Sequence, residues 1–311
     1  MSSAISRRKF LAQLGLTATA ALPLTALAGS LNHYNPASSI QFGCAAITWG
    51  GFDTKAIQEV ASLGFKGIQL RSNIYPEYGS KPEALKALLT ENKLQLPVFS
   101  SGNADINLSA EAAKAQLEKH LNHAKLVKAV GGQYLQVTNG SRPKEGNPTS
   151  EDLRKYGAVL NEIGKRMADV GITTVYHNHM HQLGETPQEV DQILSAVNTK
   201  HVKFLLDVAH YMQGGGDPVK AIQKYSSLIK VMHVKDVRDI MDENGKPGYQ
   251  FVELGQGRVD LPAIFQALDK IKYTGWAIVE LDSVPDKTRT PLEAATISRD
   301  YLKDKLKRKL G

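Results

Sequence analysis

From residue 41 onward, short apolar runs alternate with longer segments whose apolar positions recur every three or four residues. Unbroken or period-two apolar runs predict strands, and the three-to-four spacing predicts helices with one buried face. The predicted strands are Gln41–Trp49, Gly67–Ser72, Leu96–Gly102, Gln133–Thr138, Thr173–His179, Lys203–His210, Lys230–Val237 and Trp276–Asp282. The predicted helices are Asp53–Leu63, Pro82–Asn92, Ala110–Val130, Ser150–Val170, Pro187–Val197, Pro218–Leu228, Leu261–Ile271 and Pro291–Leu310. Asp53, Ser109, Ser150, Thr186 before Pro187 and Asp217 before Pro218 supply helix-start signals. Strict alternation of eight strands and eight helices predicts a single (β/α)₈ TIM barrel. A doubly wound open sheet is the alternative, but no glycine-rich turn follows the first strand.

Four successive apolar runs end in a potential metal ligand: His177, Asp207, His233 and Glu280. An isolated carboxylate or imidazole is costly to bury, whereas a divalent cation would partner all four. The spacings are 30, 26 and 47 residues, the last lengthened by an inserted loop over 238–259. The first two fit single strand-helix repeats, so equivalent strand ends meet at the barrel mouth, where such folds place their chemistry. Two imidazoles and two carboxylates suit Mn²⁺, Co²⁺, Zn²⁺ or Fe²⁺ better than Ca²⁺ or Mg²⁺, which prefer oxygen ligands. Taken singly, each has an ordinary reading as a helix cap, an ion-pair partner or a satisfied buried imidazole. His179 lies on the same side of an extended chain as His177 and could take its place.

The N-terminus reads as an address. Ser6-Arg7-Arg8-Lys9-Phe10-Leu11 is a twin-arginine signature, followed by a mildly apolar stretch and a small-x-small cleavage site at Ala26-Leu27-Ala28. Residues 1–28 are therefore expected to be a cleaved signal peptide, 29–311 the barrel, and the location periplasmic. Thr and Pro interrupt the apolar stretch, so no stable membrane anchor is expected. Cleavage removes Arg7, Arg8 and Lys9 and no acid, which lowers the formal charge from +7 to +4. That excess, partly in Lys303–Lys309, lacks interleaved aromatic residues, so nucleic-acid binding is not expected. The single cysteine, Cys44, excludes an intramolecular disulfide and reads as a small buried side chain. A homo-oligomer is left open.

The chain resembles the xylose-isomerase-like barrels, a family of sugar (phosphate) isomerases/epimerases, inosose dehydratases and related enzymes, across nearly all of residues 29–311. Leu206-Asp207-Val208-Ala209-His210 is similar to the family's Asp-x-x-His strand end. His233-Val234-Lys235-Asp236 is similar to the His-x-Lys-Asp of the inosose dehydratase branch. Phe251–Gly257 resembles its glycine turn, Val279-Glu280 its last metal ligand, and Tyr176-His177-Asn178-His179 a variant of its fifth strand. Epimerases of the family use glutamates on the fifth and eighth strands, but here the fifth-strand position holds His177. The resemblance then implies a metal-dependent lyase or hydratase acting on a non-phosphorylated keto-sugar, keto-glycoside or inosose through an enediolate. Glu280 would be the base, His210 and His179 candidate acids, and Lys235 a donor to the enolate oxygen. Lys235 could equally form an ion pair with Asp236 or Asp239. A sugar isomerase or epimerase and a non-catalytic sugar-binding barrel are the alternatives.

Three further residues are candidate substrate contacts: Arg71, Trp49 and Arg258. Gly255-Gln256-Gly257-Arg258 could cradle a phosphate after the seventh strand or form a tight turn before the next helix. Trp49 could face a sugar ring or pack in the core.

Overall fold

The computed structural model describes residues 40–138, 142–143, 145–242 and 244–310. The twin-arginine segment, the cleavage site and Asn139, at the end of the fourth strand, lie outside the described residues. Among those described, no helix is long and apolar enough to cross a membrane.

Strand β1, Gln41–Ala45, runs into a 3-10 turn at Ala46–Trp49 and then α1, Asp53–Ser62. Next come β2 (Gly67–Arg71), α2 (Tyr75–Tyr78), α3 (Pro82–Glu91), β3 (Val98–Asn103) and α4 (Ala110–Val130). Then follow β4 (Tyr134–Thr138), α5 (Ser150–Asp169), β5 (Thr173–His177), α6 (Pro187–Ala196) and β6 (Val202–Asp207). Two short helices, α7 (Val208–Gln213) and α8 (Pro218–Lys224), lead to β7 (Ile229–Val234). The chain ends with β8 (Asp236–Met241), β9 (Pro247–Val252), α9 (Leu261–Lys270), β10 (Trp276–Val279) and α10 (Pro291–Asp300). Eight strands close in the order β1-β10-β7-β6-β5-β4-β3-β2, all parallel. This is the (β/α)₈ barrel that the alternation predicts.

Three local features differ from the sequence expectation. The inserted 238–259 segment is not a loop: β8 and β9 pair as an antiparallel hairpin, closed by a turn in which Asp242 N–H donates to Lys246 C=O. Asn244-Gly245, with Gly245 at φ +72°, is a strong hairpin-turn signal. The strand expected to reach His210 stops at Asp207, because Asp207 Oδ1 accepts from the N–H groups of Ala209 and His210 and so starts α7. Helix α5 is capped by Thr149 rather than Ser150, through a reciprocal box with Asp152.

The alternation of side chains sets the site. Ala45, Val98, Val175, Leu205, Val231 and Ile278, from β1, β3, β5, β6, β7 and β10, form a buried cluster, which is the filling of the barrel interior. Two residues along a strand returns a side chain to the same face. The next inward positions are therefore Ser100 after Val98, His177 after Val175, Asp207 after Leu205, His233 after Val231 and Glu280 after Ile278. One inner layer is apolar, and the layer nearer the mouth carries the chemistry.

Candidate metal centre at the barrel mouth

Three inward atoms converge. His177 Nε2 and His233 Nδ1 each lie 3.6 Å from Asp207 Oδ2. All three side chains are buried, and none of these three atoms has a hydrogen-bond partner. Buried polar atoms without partners are costly, so three facing one another mark a locus shaped for a shared cation. Asp207 divides its carboxylate: Oδ1 is spent on capping α7, and Oδ2 is left for the locus. Glu280, just past β10, brings Oε1 to 3.3 Å from His233 Nδ1. The donor set of imidazoles and carboxylates fits a borderline divalent ion.

The electrostatics fit that reading. Burial works against charging His233, but the neighbouring Glu280 and Asp207 carboxylates outweigh it and lift the ring to about 9. Burial dominates at His177 and pushes it down to about 4, so that ring is neutral. For Glu280, burial favours the neutral acid, yet His233 and Lys235 hold the carboxyl well below the usual range. Lys235 Nζ is buried, 2.6 Å from Asp282 Oδ1, 3.2 Å from Glu280 Oε1 and 3.9 Å from Asp207 Oδ2. Its ammonium also lies 4.2 Å from the centroid of the Phe251 ring, on the hairpin. The sequence alternative of a bond to Asp236 or Asp239 is not what forms.

Behind the ligands runs a chain of side-chain amides. His233 Nε2–H donates to Gln69 Oε1 (2.8 Å), Gln69 Nε2 to Gln136 Oε1 (2.7 Å), and Gln136 Nε2 to His177 Nδ1 (3.1 Å). Gln69 and Gln136 did not emerge from the sequence. The available signal was a lone amide within each apolar run, Gly67–Arg71 and Tyr134–Thr138.

A cavity of about 120 Å³ opens above the centre and is lined by Arg71, His177, His179, Glu280 and Asp282 among others. His179 Nδ1–H donates to the Met180 carbonyl at 2.7 Å, which leaves Nε2 as the ring nitrogen outside that bond. His210 packs against it, ring centroids 3.8 Å apart with the planes tilted by 35°, and is itself buried. Burial holds His210 well below the ordinary imidazole range. His210 and Lys235 thus lie behind the cavity wall, while His179 and Glu280 form part of it. Arg71 reaches the cavity with its Nε buried and without a hydrogen-bond partner. Asp282 joins from the end of the β10 run, a carboxylate the sequence did not single out.

Two sequence candidates lie elsewhere. Trp49 is buried in the core, its Nε1–H donating to Glu59 Oε2 at 2.5 Å. Arg258 is bound to Asp239 Oδ1 (3.0 Å) and Gln213 Oε1 (2.5 Å) beside the hairpin. The glycine turn holds a carboxylate of its own chain. Asp236 accepts from the N–H groups of Val237, Gly255, Gly257 and Val259 at 2.8 to 3.1 Å. Those amides are therefore already taken, and the tight-turn reading describes this segment better than a phosphate cradle. A Cβ on Gly257 would lie 2.2 Å from Asp236 Oδ1, so glycine is required there.

The family model described as "Xylose isomerase-like TIM barrel" matches residues 57–305. The rhizopine catabolism protein MocC of Rhizobium meliloti is 29% identical over 298 residues, covering 86% of this chain and 89% of that protein. An inosose dehydratase of Clostridium beijerinckii is 27% identical over 274 residues, covering 81% and 89%. Among solved structures, the IolI protein with a bound zinc atom superposes with a TM-score of 0.71 at 20% identity, covering 85% of this chain and 97% of its own. A probable 3-DHS dehydratase from Bacillus anthracis gives 0.70 at 19% identity, covering 85% and 99%. At these identities the solved structures speak to the fold.

Proposed function

Because the chain belongs to the xylose isomerase-like TIM barrel family, we propose that it is a divalent-metal-dependent lyase that eliminates water or an alcohol from a non-phosphorylated keto-sugar, keto-glycoside or inosose. The observation that carries the metal is the convergence of His177 Nε2, Asp207 Oδ2 and His233 Nδ1, all buried and all without hydrogen-bond partners. His177, Asp207, His233 and Glu280 would hold the ion. When bound, it supplies Lewis-acid polarisation of a substrate carbonyl oxygen.

The remaining steps belong to the side chains at the cavity wall. Glu280 is the expected base, but as a ligand beside the Lys235 ammonium, 3.2 Å away, it would be a weakened one. His179 offers what proton transfer needs: an anchored Nδ1–H, a second ring nitrogen outside that bond and a place on the wall. In this reading His179 takes the proton alpha to the carbonyl. The freed electron pair forms the carbon–carbon double bond and expels the β-oxygen, which receives the same proton. His210 supports the His179 ring from below, and Arg71 donates to a substrate oxygen. The sequence similarity to inosose dehydratases supports a dehydration.

One observation favours the isomerase or epimerase alternative: Asp282 gives the cavity a second carboxylate beside Glu280. The two readings separate when metal-loaded protein is incubated with a panel of 3-keto-sugars and inososes in D₂O. Elimination gives a product lighter by water or alcohol. Epimerisation gives a product of unchanged skeleton carrying deuterium. No change in any substrate, despite binding, would leave a non-catalytic sugar-binding barrel. For location we propose periplasmic export by the twin-arginine route, supported by Ser6–Leu11 and Ala26–Ala28.

A further inference from the structure

The two imidazoles at the centre look equivalent, yet the amides behind them make them different. To ligate a cation through its inward nitrogen, a neutral ring must carry its proton on the outward one. His233 and His177 would then both point an N–H into the Gln69–Gln136 pair. The two amides are joined by one N–H···O contact of 2.7 Å. A bridge of that kind has one carbonyl end and one NH₂ end whichever way it runs. It accepts a proton from one ring and must donate to the other. Turning Gln136 so that both amides accept from the rings would set NH₂ against NH₂ at that contact. Gln69 and Gln136 border the cavity, but at 2% and 4% exposure little of either amide is open to water that could repair the mismatch.

We infer that Gln69 and Gln136 are positioning residues that allow only one of the two imidazoles to give its electron pair to a cation: His233 ligates, and His177 keeps an inward N–H facing Asp207. The direction of the bridge makes the assignment. His233 Nε2 meets a carbonyl oxygen, so it keeps its hydrogen, and a cation would displace the proton on Nδ1; His177 Nδ1 meets an amide NH₂, so its hydrogen sits on Nε2. The inference rests on the metal reading above and narrows it: the protein ligands would be Asp207, His233 and Glu280.

The test is ¹⁵N NMR of histidine-labelled protein, in which protonated, bare and metal-bound ring nitrogens have distinct shifts. His177→Asn and His233→Asn assign the signals. In metal-free protein, His233 Nε2 should be protonated and His177 Nδ1 bare. After zinc loading, His233 Nδ1 should become metal-bound while His177 Nε2 stays protonated. Gln136→Glu supplies a carboxylate that accepts at both ends, so both rings should then bind zinc. The zinc dissociation constant should fall ten- to a hundred-fold, on the order found for the second ring of contacts around a metal. Zinc on both rings of the unaltered protein would overturn the inference. Matching protonation of the two outward nitrogens in the metal-free protein would overturn the bridge itself. An intact asymmetry with no zinc uptake would instead overturn the metal reading, and with it the ligand assignment.

Discussion

Lys235 Nζ lies 3.2 Å from Glu280 Oε1, with both side chains buried. The lysine also serves Asp282 and Asp207, so one ammonium neutralises much of the negative charge at the barrel mouth. Lys235→Met leaves those carboxylates uncompensated. Metal-free protein should lose about 3–5 kcal/mol of stability, the usual cost of breaking a buried ion pair from one side. Saturating zinc should restore part of the loss, because a cation supplies the missing charge. Urea unfolding with and without zinc checks both halves. Equal stability of the two proteins would contradict this account of Lys235.

A second cluster predicts a pH dependence unrelated to the centre. Ser101 Oγ lies 2.6 Å from His120 Nδ1 and 2.7 Å from His123 Nδ1, and all three side chains are buried. Burial first, then the Lys119 charge, pushes His120 down to about 3 and His123 to about 4, from an ordinary 6.5. Both rings are neutral when folded, whereas the unfolded chain takes up protons below pH 6.5. Their contribution is therefore complete above about pH 7 and declines as pH falls toward 4. The slope should reach about 1.4 kcal/mol per pH unit for His120, with a smaller, solvent-screened part from His123. Unfolding free energies between pH 7 and 5 test this, and His120→Leu should flatten the slope by close to one proton.

The Asp236 nest predicts a structural turn. Asp236→Asn replaces one acceptor oxygen with an NH₂ facing backbone N–H groups, and should cost about 3 kcal/mol. Inorganic phosphate should give no thermal protection, because the nest is already filled. Phosphate protection that disappears in Gly257→Ala would restore the cradle reading.

The export proposal has its own check. Arg7→Lys with Arg8→Lys keeps the charge but removes the guanidinium pair that a receptor reads. The variant should remain uncut in cells and absent from the periplasmic fraction. Normal export and cleavage would remove the twin-arginine assignment.

The parts of this molecule written in local pattern were legible in the sequence. Each barrel strand is an apolar run, and the ends of four such runs offered His177, Asp207, His233 and Glu280 as candidate ligands. Contacts set by tertiary structure were not legible. Gln69 and Gln136 are 67 residues apart, and neither amide signals its purpose until the strands close. Asp207 was expected as a ligand, but its second task, ending β6 by capping α7, depends on how one carboxylate divides its oxygens. Arg258 was expected near substrate on the strength of a loop; pairing of β8 with β9 brings Asp239 within its reach instead. Asp236 resembled part of a strand-end motif, and only the folded hairpin gives it the four amides of the turn.

Metal titration of the Asp207→Asn protein tests the central claim most directly. The substituted side chain retains an oxygen to cap α7 and loses the free carboxylate oxygen at the locus, so fold and site are separated in one change. Calorimetry with Mn²⁺, Co²⁺ and Zn²⁺ should give one ion per chain for the unaltered protein. At a hundred-fold excess over the dissociation constant, that ion should add about 2.7 kcal/mol of stability. Asp207→Asn should fold but lose the binding and the added stability together. Equal uptake by both proteins, or none by the unaltered one, would contradict a cation held at these strand ends.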